Sequence, residues 1–345
     1  MEKIVITTAG IFSEIFIGKP WEAAAEMIPE KGVVIITDEN VNNIYGSRFP
    51  LFPVLKLVPG EKSKRLKVIE SLAEQLLESG IDRSGFILAV GGGVVCDVAG
   101  FLASVYMRGI RFGFVSSSLL SQVDASTGGK NAVNLGKIKN VIGNFRQPEF
   151  VICDTAMLRT LPEKEYLSGL AELIKTGIIG DMSIFEIIEQ NITAINERDS
   201  TLLSDLVARS VRFKAKVVSK DEKENNLRRI LNFGHTFGHA VEMQKSMKHG
   251  FAVAKGMQFA TDFSLQKGFI SSAIRERIIN LLQRFKLLEE KYIPLDQIER
   301  HLLHDKKRTG NDIHFIFIEG IGKPLIKTVP VSEITDFYRQ IKTSK

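Results

Sequence analysis

The sequence predicts an α/β domain built on a parallel sheet, followed by a mainly α-helical domain. Before residue 155, short continuous apolar runs alternate with amphipathic helical patterns, and one run passes straight into three glycines. Strands of that kind are buried on both faces, which a parallel sheet covered by helices requires. After residue 155 the periodicity is almost wholly helical. The expected boundaries are therefore 1–155 and 156–345.

Length and composition agree. A chain of 345 residues suits two domains better than one. Hydrophobic residues at 44% and charged residues at 25% supply sizeable cores and argue against long disorder. No uninterrupted apolar run reaches roughly 18 residues, so no membrane-spanning helix is expected. The opening MEKIVITTAG lacks the apolar stretch of a secretory leader. Cys96 and Cys153 have neither metal nor redox spacing, so a cytoplasmic protein is expected. The net charge is +6, but Lys and Arg are scattered among acids, which argues against nucleic acid. A modest excess of cations suits a small anionic substrate.

In chain order, 32–37 reads as a β-branched buried strand ending in a turn at Asp38-Glu39-Asn40. Residues 62–79 carry Leu66, Ile69, Leu72 or Ala73, and Leu76 at helical spacing, with Gly80 as the stop. Residues 86–90 form a second buried strand, 94–105 a helix, and 111–115 a third strand. Helices follow at 163–179, 182–196, 200–220, 227–247, 250–267, 272–285 and 295–304. Strands at 313–318 and 324–329 precede a last helix from Val331.

Four segments carry chemistry. Strand, Gly91-Gly92-Gly93, helix is a turn that lets a pyrophosphate approach backbone N–H groups at a helix N-terminus. It is also an ordinary tight turn. Asp97 lies one turn into that helix, while Asp38 and Glu61 could meet ribose hydroxyls. The second segment, Asp124 to Asn134 with Gly128-Gly129-Lys130, then Lys137, Lys139 and Asn140, is a donor-rich glycine turn that reads as an anion-binding loop. In the third, Lys214 falls on the apolar stripe of Leu203, Val207, Val211 and Val218, and Glu172 is flanked by apolar residues with Lys175 one turn on. A buried carboxylate needs a partner.

The fourth is the strongest. On a continuous helix, Arg228, Asn232, His235, His239 and Glu242 fall within about 80° of one another. These residue types coordinate, donate and titrate. Spacing alone nominates His235 and His239 as a metal pair, with His249 as a competing third histidine.

Together these segments resemble the 3-dehydroquinate synthases of the sugar-phosphate cyclase superfamily, from about residue 30 to 330. The resemblance is carried by Gly91-Gly92-Gly93-Val94 with Asp97; Tyr106-Met107-Arg108-Gly109; Gly128-Gly129-Lys130; Lys139-Asn140; Gly169-Leu170-Ala171-Glu172 with Lys175; and Leu231 to His239 followed by His249-Gly250. It implies a dehydroquinate synthase-like fold, an NAD-binding first domain, a metal- and substrate-binding second domain, and a homodimer. It implies NAD and a divalent metal, commonly zinc with cobalt possible, and it assigns the ligands as Glu172, His235 and His249.

On the same basis Asp124, Lys130, Lys175, Lys214, Glu224 and His239 match catalytic positions. Arg108, Lys130, Asn140, Arg228, Asn232, His239 and Lys306 match substrate-binding ones, with Arg108 reaching the neighbouring subunit's site. Asp38, Asn40, Glu61, Lys64, Gly92, Gly93, Val94, Asp97, Ser117, Ser118 and Lys139 match the NAD site. The implied reaction takes 3-deoxy-D-arabino-heptulosonate 7-phosphate to 3-dehydroquinate and phosphate. It proceeds by transient oxidation by NAD, phosphate elimination, re-reduction and intramolecular aldol closure, in the shikimate pathway. An amino-dehydroquinate synthase, another cyclase of the superfamily, and a metal-dependent glycerol-type dehydrogenase share the scaffold. Departures from the family pattern are Ser116-Ser117-Ser118 in place of Pro-Thr-Thr, Phe251 in place of Glu, and milder differences at Ser126-Thr127 and Asn131.

Overall fold

A computed structural model of the chain describes all residues except 9–10, 137, 243–246, 289–297, 299–307, 310–311 and 344–345. The first elements are β1 (Glu2–Thr8), β2 (Ile11–Ile17), β3 (Val33–Asp38), α1 (Glu39–Tyr45), β4 (Val54–Leu57), α2 (Leu66–Glu78), β5 (Phe86–Gly91) and α3 (Gly93–Val105). They are followed by β6 (Arg111–Ser116), β7 (Lys130–Leu135), β8 (Ile138–Phe145), β9 (Phe150–Cys153), α4 (Glu163–Ile179), α5 (Met182–Gln190), α6 (Ile192–Asn196) and α7 (Ser200–Lys220). The last are α8 (His235–Glu242), α9 (His249–Gln266), α10 (Ser272–Arg284), β10 (Arg308–Thr309), β11 (Asp312–Gly320), β12 (Lys323–Pro330) and α11 (Val331–Thr343).

The chain forms two compact units. One comprises Met1–Pro162 and Arg198–Lys223; the other comprises Glu163–Glu197 and Glu224–Lys345. The helix α7 thus belongs to the first unit, although it lies well past residue 155 in sequence.

The first unit holds a seven-stranded sheet in the order β1-β2-β9-β6-β5-β3-β4. Only the β1–β2 pairing is antiparallel; the others are parallel. Five of the six residues of β3 and all six of β5 are buried. That explains their unbroken apolar sequence, since both faces are covered. One face packs Val33, Ile35, Phe86, Leu88, Val90, Val115 and Ile152 against Trp21, Tyr45 and Met157. From β3 the chain moves outward to β4, then returns across β3 to β5 and on to β6. The direction of winding therefore reverses between β3 and β5, and open α/β sheets bind ligands at the carboxyl ends of such a pair.

The β1–β2 hairpin, β4, β9 and the β7–β8 hairpin are strands that the sequence pattern does not announce. Strands β4 and β9 have only four residues each, and β7–β8 is rich in Asn, Gly and Lys, a composition that reads as an anion-binding loop.

In the second unit, α4 is buried from Ser168 to Ile179. The long helix expected at 227–247 is broken. Residues Leu227–Asn232 form a short 3-10 segment, and Gly234 turns the chain at φ +76° before α8 begins. A Cβ on Gly234 would also crowd the backbone of α9, 2.8 Å from Met257 N. The left-handed turn and the close approach both require glycine there. The expected helix at 182–196 is interrupted at Asn191, giving α5 and α6. The helix expected at 295–304 lies outside the described residues. The strand pair β11–β12 and the helix α11 form as the sequence predicts, and among the described residues no helix is long and apolar enough to cross a membrane.

Candidate active site

In the first unit, β3 and β5 end side by side, with Thr37 opposite Val90. Beyond β5 the backbone of Gly92 is extended and caps α3. A Cβ on Gly92 would sit 3.1 Å from Ser118 Oγ, and one on Gly93 3.0 Å from Ala125 Cβ. This narrow glycine cradle at a helix N-terminus, at the reversal of the sheet, fits a dinucleotide pyrophosphate. Val94 is half-buried on the same first turn, and Ser117 is buried, its N–H donating to Gly91 O at 2.9 Å.

Asp38 caps α1, accepting from Val41 N at 3.0 Å, and Asn40 is exposed beside it. Glu61 accepts from Asn134 Nδ2 at 2.8 Å, and Lys139 is exposed on β8.

The polar centre of this unit is Lys64, which is only 4% exposed. Its ammonium is paired with Asp97 and also donates to Asn140 Oδ1 at 2.6 Å. Burial pushes the Asp97 carboxyl up to about 6 even though the Lys64 charge opposes the shift. Asn140 sits in the left-handed region at φ +51°, and its N–H donates to Asn134 Oδ1 at 2.9 Å. Lys130 is exposed at the start of β7, directly after the Gly128-Gly129 turn. Lys214, buried on α7, donates to Asp124 O at 2.6 Å and to Asp124 Oδ1 at 2.5 Å. The lysine on the apolar stripe is therefore a buried cation held by a carboxylate.

Arg108 is exposed on a turn where Met107 (φ +47°) and Arg108 (φ +68°) are both left-handed. Such residues persist only where their surroundings hold them. Arg146 does so: it donates to Ala103 O at 2.9 Å and lies under Gly109, where a Cβ would come 2.6 Å from its Nη1. No sequence pattern marks Arg146 for this role.

In the second unit, Glu172 on α4, His235 at the start of α8 and His249 at the start of α9 each offer one ligand atom, all within 4.8 Å of one another. Glu172 Oε1 lies 3.2 Å from His249 Nε2 and 3.5 Å from His235 Nε2. His235 Nδ1 faces Phe233 O at 3.2 Å, and His249 Nδ1 faces Glu242 Oε2 at 3.3 Å. Both rings thus have an acceptor behind them and turn Nε2 toward the carboxylate. Two histidines oriented from behind, plus one carboxylate, fit a divalent metal with open positions.

Burial would raise the Glu172 carboxyl, but the buried Lys175 ammonium and His249 hold it down at about 2. Burial would lower His249, but Glu172 and Glu242 hold it up at about 10. The Glu172 carboxylate stands at the middle of the cluster, with Lys175, His235 and His249 around it.

His239 is not one of the three. Its ring lies 5.2 Å from that of His235 and 6.4 Å from that of His249. The pair nominated by spacing is therefore not the group that the fold assembles, because Glu172 comes from α4, far away in sequence, and His249 from the start of the next helix, α9. Nor do Arg228 and Asn232 share a helix with the histidines. Arg228 is 2% exposed on the 3-10 segment, and Asn232 is hydrogen-bonded to Glu224, itself left-handed at φ +62°. Lys306 lies outside the described residues.

Residues 54–168 match the family model for the 3-dehydroquinate synthase N-terminal region, and residues 169–308 match that for the C-terminal region. A 3-dehydroquinate synthase of Thermoanaerobacter pseudethanolicus is 44% identical over 314 residues, covering 87% of this chain and 88% of that protein. One of Dehalococcoides mccartyi is 39% identical over 344 residues, covering 94% and 95%. Among solved structures, a 2-deoxy-scyllo-inosose synthase complexed with carbaglucose-6-phosphate, NAD+ and Co2+ has a TM-score of 0.88 at 27% identity, covering 98% of this chain and 100% of the other. The chain belongs to the 3-dehydroquinate synthase family.

Proposed function

We propose that this chain converts 3-deoxy-D-arabino-heptulosonate 7-phosphate into 3-dehydroquinate and inorganic phosphate, as a cytoplasmic homodimer. The observation that carries the reading is the Glu172–His235–His249 group with the buried Lys175 beside it, in a chain of this family. Those three residues would hold the divalent metal, taken to be zinc, and Asp38, Gly92, Gly93, Val94, Asp97, Lys64, Ser117 and Ser118 would hold NAD. When bound, the metal supplies Lewis acidity to a substrate hydroxyl and NAD supplies a reversible hydride acceptor.

The chain's own residues bind, orient and move protons. Arg228 pairs its guanidinium with the substrate carboxylate. Lys130, Asn140, His239 and Lys306 hold the phosphate end, joined by Arg108 of a second copy of the chain. Asn232 orients a hydroxyl and is itself held by Glu224. Lys175 keeps Glu172 ionised. The Lys214–Asp124 pair offers an ammonium proton and a carboxylate acceptor to the reacting oxygens. Phosphate departs with the C–O bonding pair as the neighbouring C–H proton is removed. Once the transiently oxidised carbon has its hydride back, the hemiketal opens, and the enolate carbon so released attacks the freed ketone carbon to close the carbocycle.

Phosphate release from the heptulosonate phosphate, followed together with NADH absorbance, tests this. The expected result is release that needs NAD and metal, with no net NADH. Net NADH without phosphate would mean a plain dehydrogenase, and the reading would be wrong.

A further inference from the structure

We propose that Glu242, which no catalytic or ligand role above uses, is the positioning residue that sets the metal affinity of the centre by orienting His249. The inference rests on the metal reading above. Glu242 and His235 are the last and first residues of α8. Seven residues are about two helical turns, so both lie on one face of a single rigid element. One end of α8 therefore supplies a ligand, while the other end reaches the ring that α9 supplies.

Glu242 Oε2 lies 3.3 Å from His249 Nδ1, and His249 Nε2 lies 3.2 Å from Glu172 Oε1. A neutral imidazole has one N–H. With that proton on Nδ1 and given to the Glu242 carboxylate, the Nε2 lone pair is left facing the centre. His235 is arranged the same way, but its acceptor is the neutral carbonyl of Phe233. The anionic acceptor behind His249 makes that ring the more basic of the two ligands.

His249 needs this more than His235 does. It opens α9 directly after Lys248, and its side chain is 28% exposed against 11% for His235. The backbone at that point is already fixed, because Gly250 N–H donates to Ser168 Oγ at 2.9 Å on the buried face of α4, one turn before Glu172. The ring torsion is the remaining freedom, and Glu242 restrains it.

The test is zinc affinity by chelator competition, with the visible spectrum of the cobalt-loaded protein as a second readout, on the full chain. Glu242→Ala is expected to weaken zinc binding by roughly 10–100-fold and to alter the cobalt ligand-field bands. Glu242→Gln keeps an acceptor oxygen but no charge and should lie between Glu242→Ala and the unaltered chain. The unfolding midpoint of each metal-free variant separates loss of fold from loss of orientation. If Glu242→Ala lowers that midpoint, the near-isosteric Glu242→Gln decides. Unchanged zinc affinity and an unchanged cobalt spectrum in Glu242→Gln and in a folded Glu242→Ala would overturn the proposal. His249→Ala serves as the control: if it also retained zinc, the ligand set itself would be wrong; if it lost zinc while the Glu242 variants did not, only the role of Glu242 would fail.

Discussion

Glu172 and His249 illustrate how the same burial acts on opposite charges. Each is penalised for being charged, yet each keeps its charge because the other, with Lys175 and Glu242, is close by. A histidine donates its Nε2 lone pair to a metal only when neutral, so a metal at the proposed Glu172–His235–His249 centre would have to expel the proton that Glu172 and Glu242 help to keep on His249, whose pKa they push up to about 10. Metal affinity should therefore rise by about tenfold per pH unit from pH 7 toward 10, with about one proton released per ion. Calorimetric titration in buffers of different ionisation enthalpy measures this, and an affinity independent of pH between 7 and 9 would contradict it. Much of the site was legible at this scale. Lys214 on an apolar stripe and Glu172 among apolar neighbours both announced buried charges that need partners, and Asp124 and Lys175 are those partners. The choice between His239 and His249 was not legible from spacing. Ring orientation depends on where α9 begins relative to α4, which periodicity does not encode.

At the scale of elements, the packing of α8 on α9 sets where His235 and His249 stand. The approach is so close that a Cβ on Gly256 of α9 would lie 1.8 Å from the O of Gly234, just before α8, and 2.8 Å from Gly238 N within it. Backbone cannot yield as a side-chain tip can, so Gly256→Ala should cost at least about 1–3 kcal/mol and weaken metal retention along with stability. Chemical denaturation with metal analysis checks this, and a variant of native stability would show the approach to be looser. In the first unit, Arg146→Ala removes the donor to Ala103 O and the support beneath the Arg108 turn. A loss of about 1–2 kcal/mol is expected, measured by the same denaturation. Long elements such as α4, α7 and β5 were readable because their patterns run for several turns or are continuously apolar. The break at Phe233-Gly234 was hidden because the residues on either side keep helical spacing, and only the left-handed Gly234 reveals it. The hairpin β7–β8 was hidden by its polarity, although its anion-binding composition was plain.

At the scale of the whole molecule, alternation of strand and helix gave the parallel sheet, and the later helical periodicity gave the second unit. The order of strands did not follow from pattern, because the reversal between β3 and β5 is a property of pairing and not of any one segment. It is this reversal that places the Gly92-Gly93 cradle at the mouth of the sheet. Contact across distance also decides that α7 belongs to the first unit and carries Lys214 to Asp124. In the second unit, the proposed centre is a divalent ion that Glu172, His235 and His249 would hold, one side chain each from α4, α8 and α9. The most direct measurement is metal content and turnover of His235→Ala beside His239→Ala, each purified with zinc. The account predicts that His235→Ala retains no zinc and no turnover, whereas His239→Ala retains zinc and loses turnover. Zinc held normally by His235→Ala but lost from His239→Ala would contradict it and restore the ligand pair that helical spacing alone suggests.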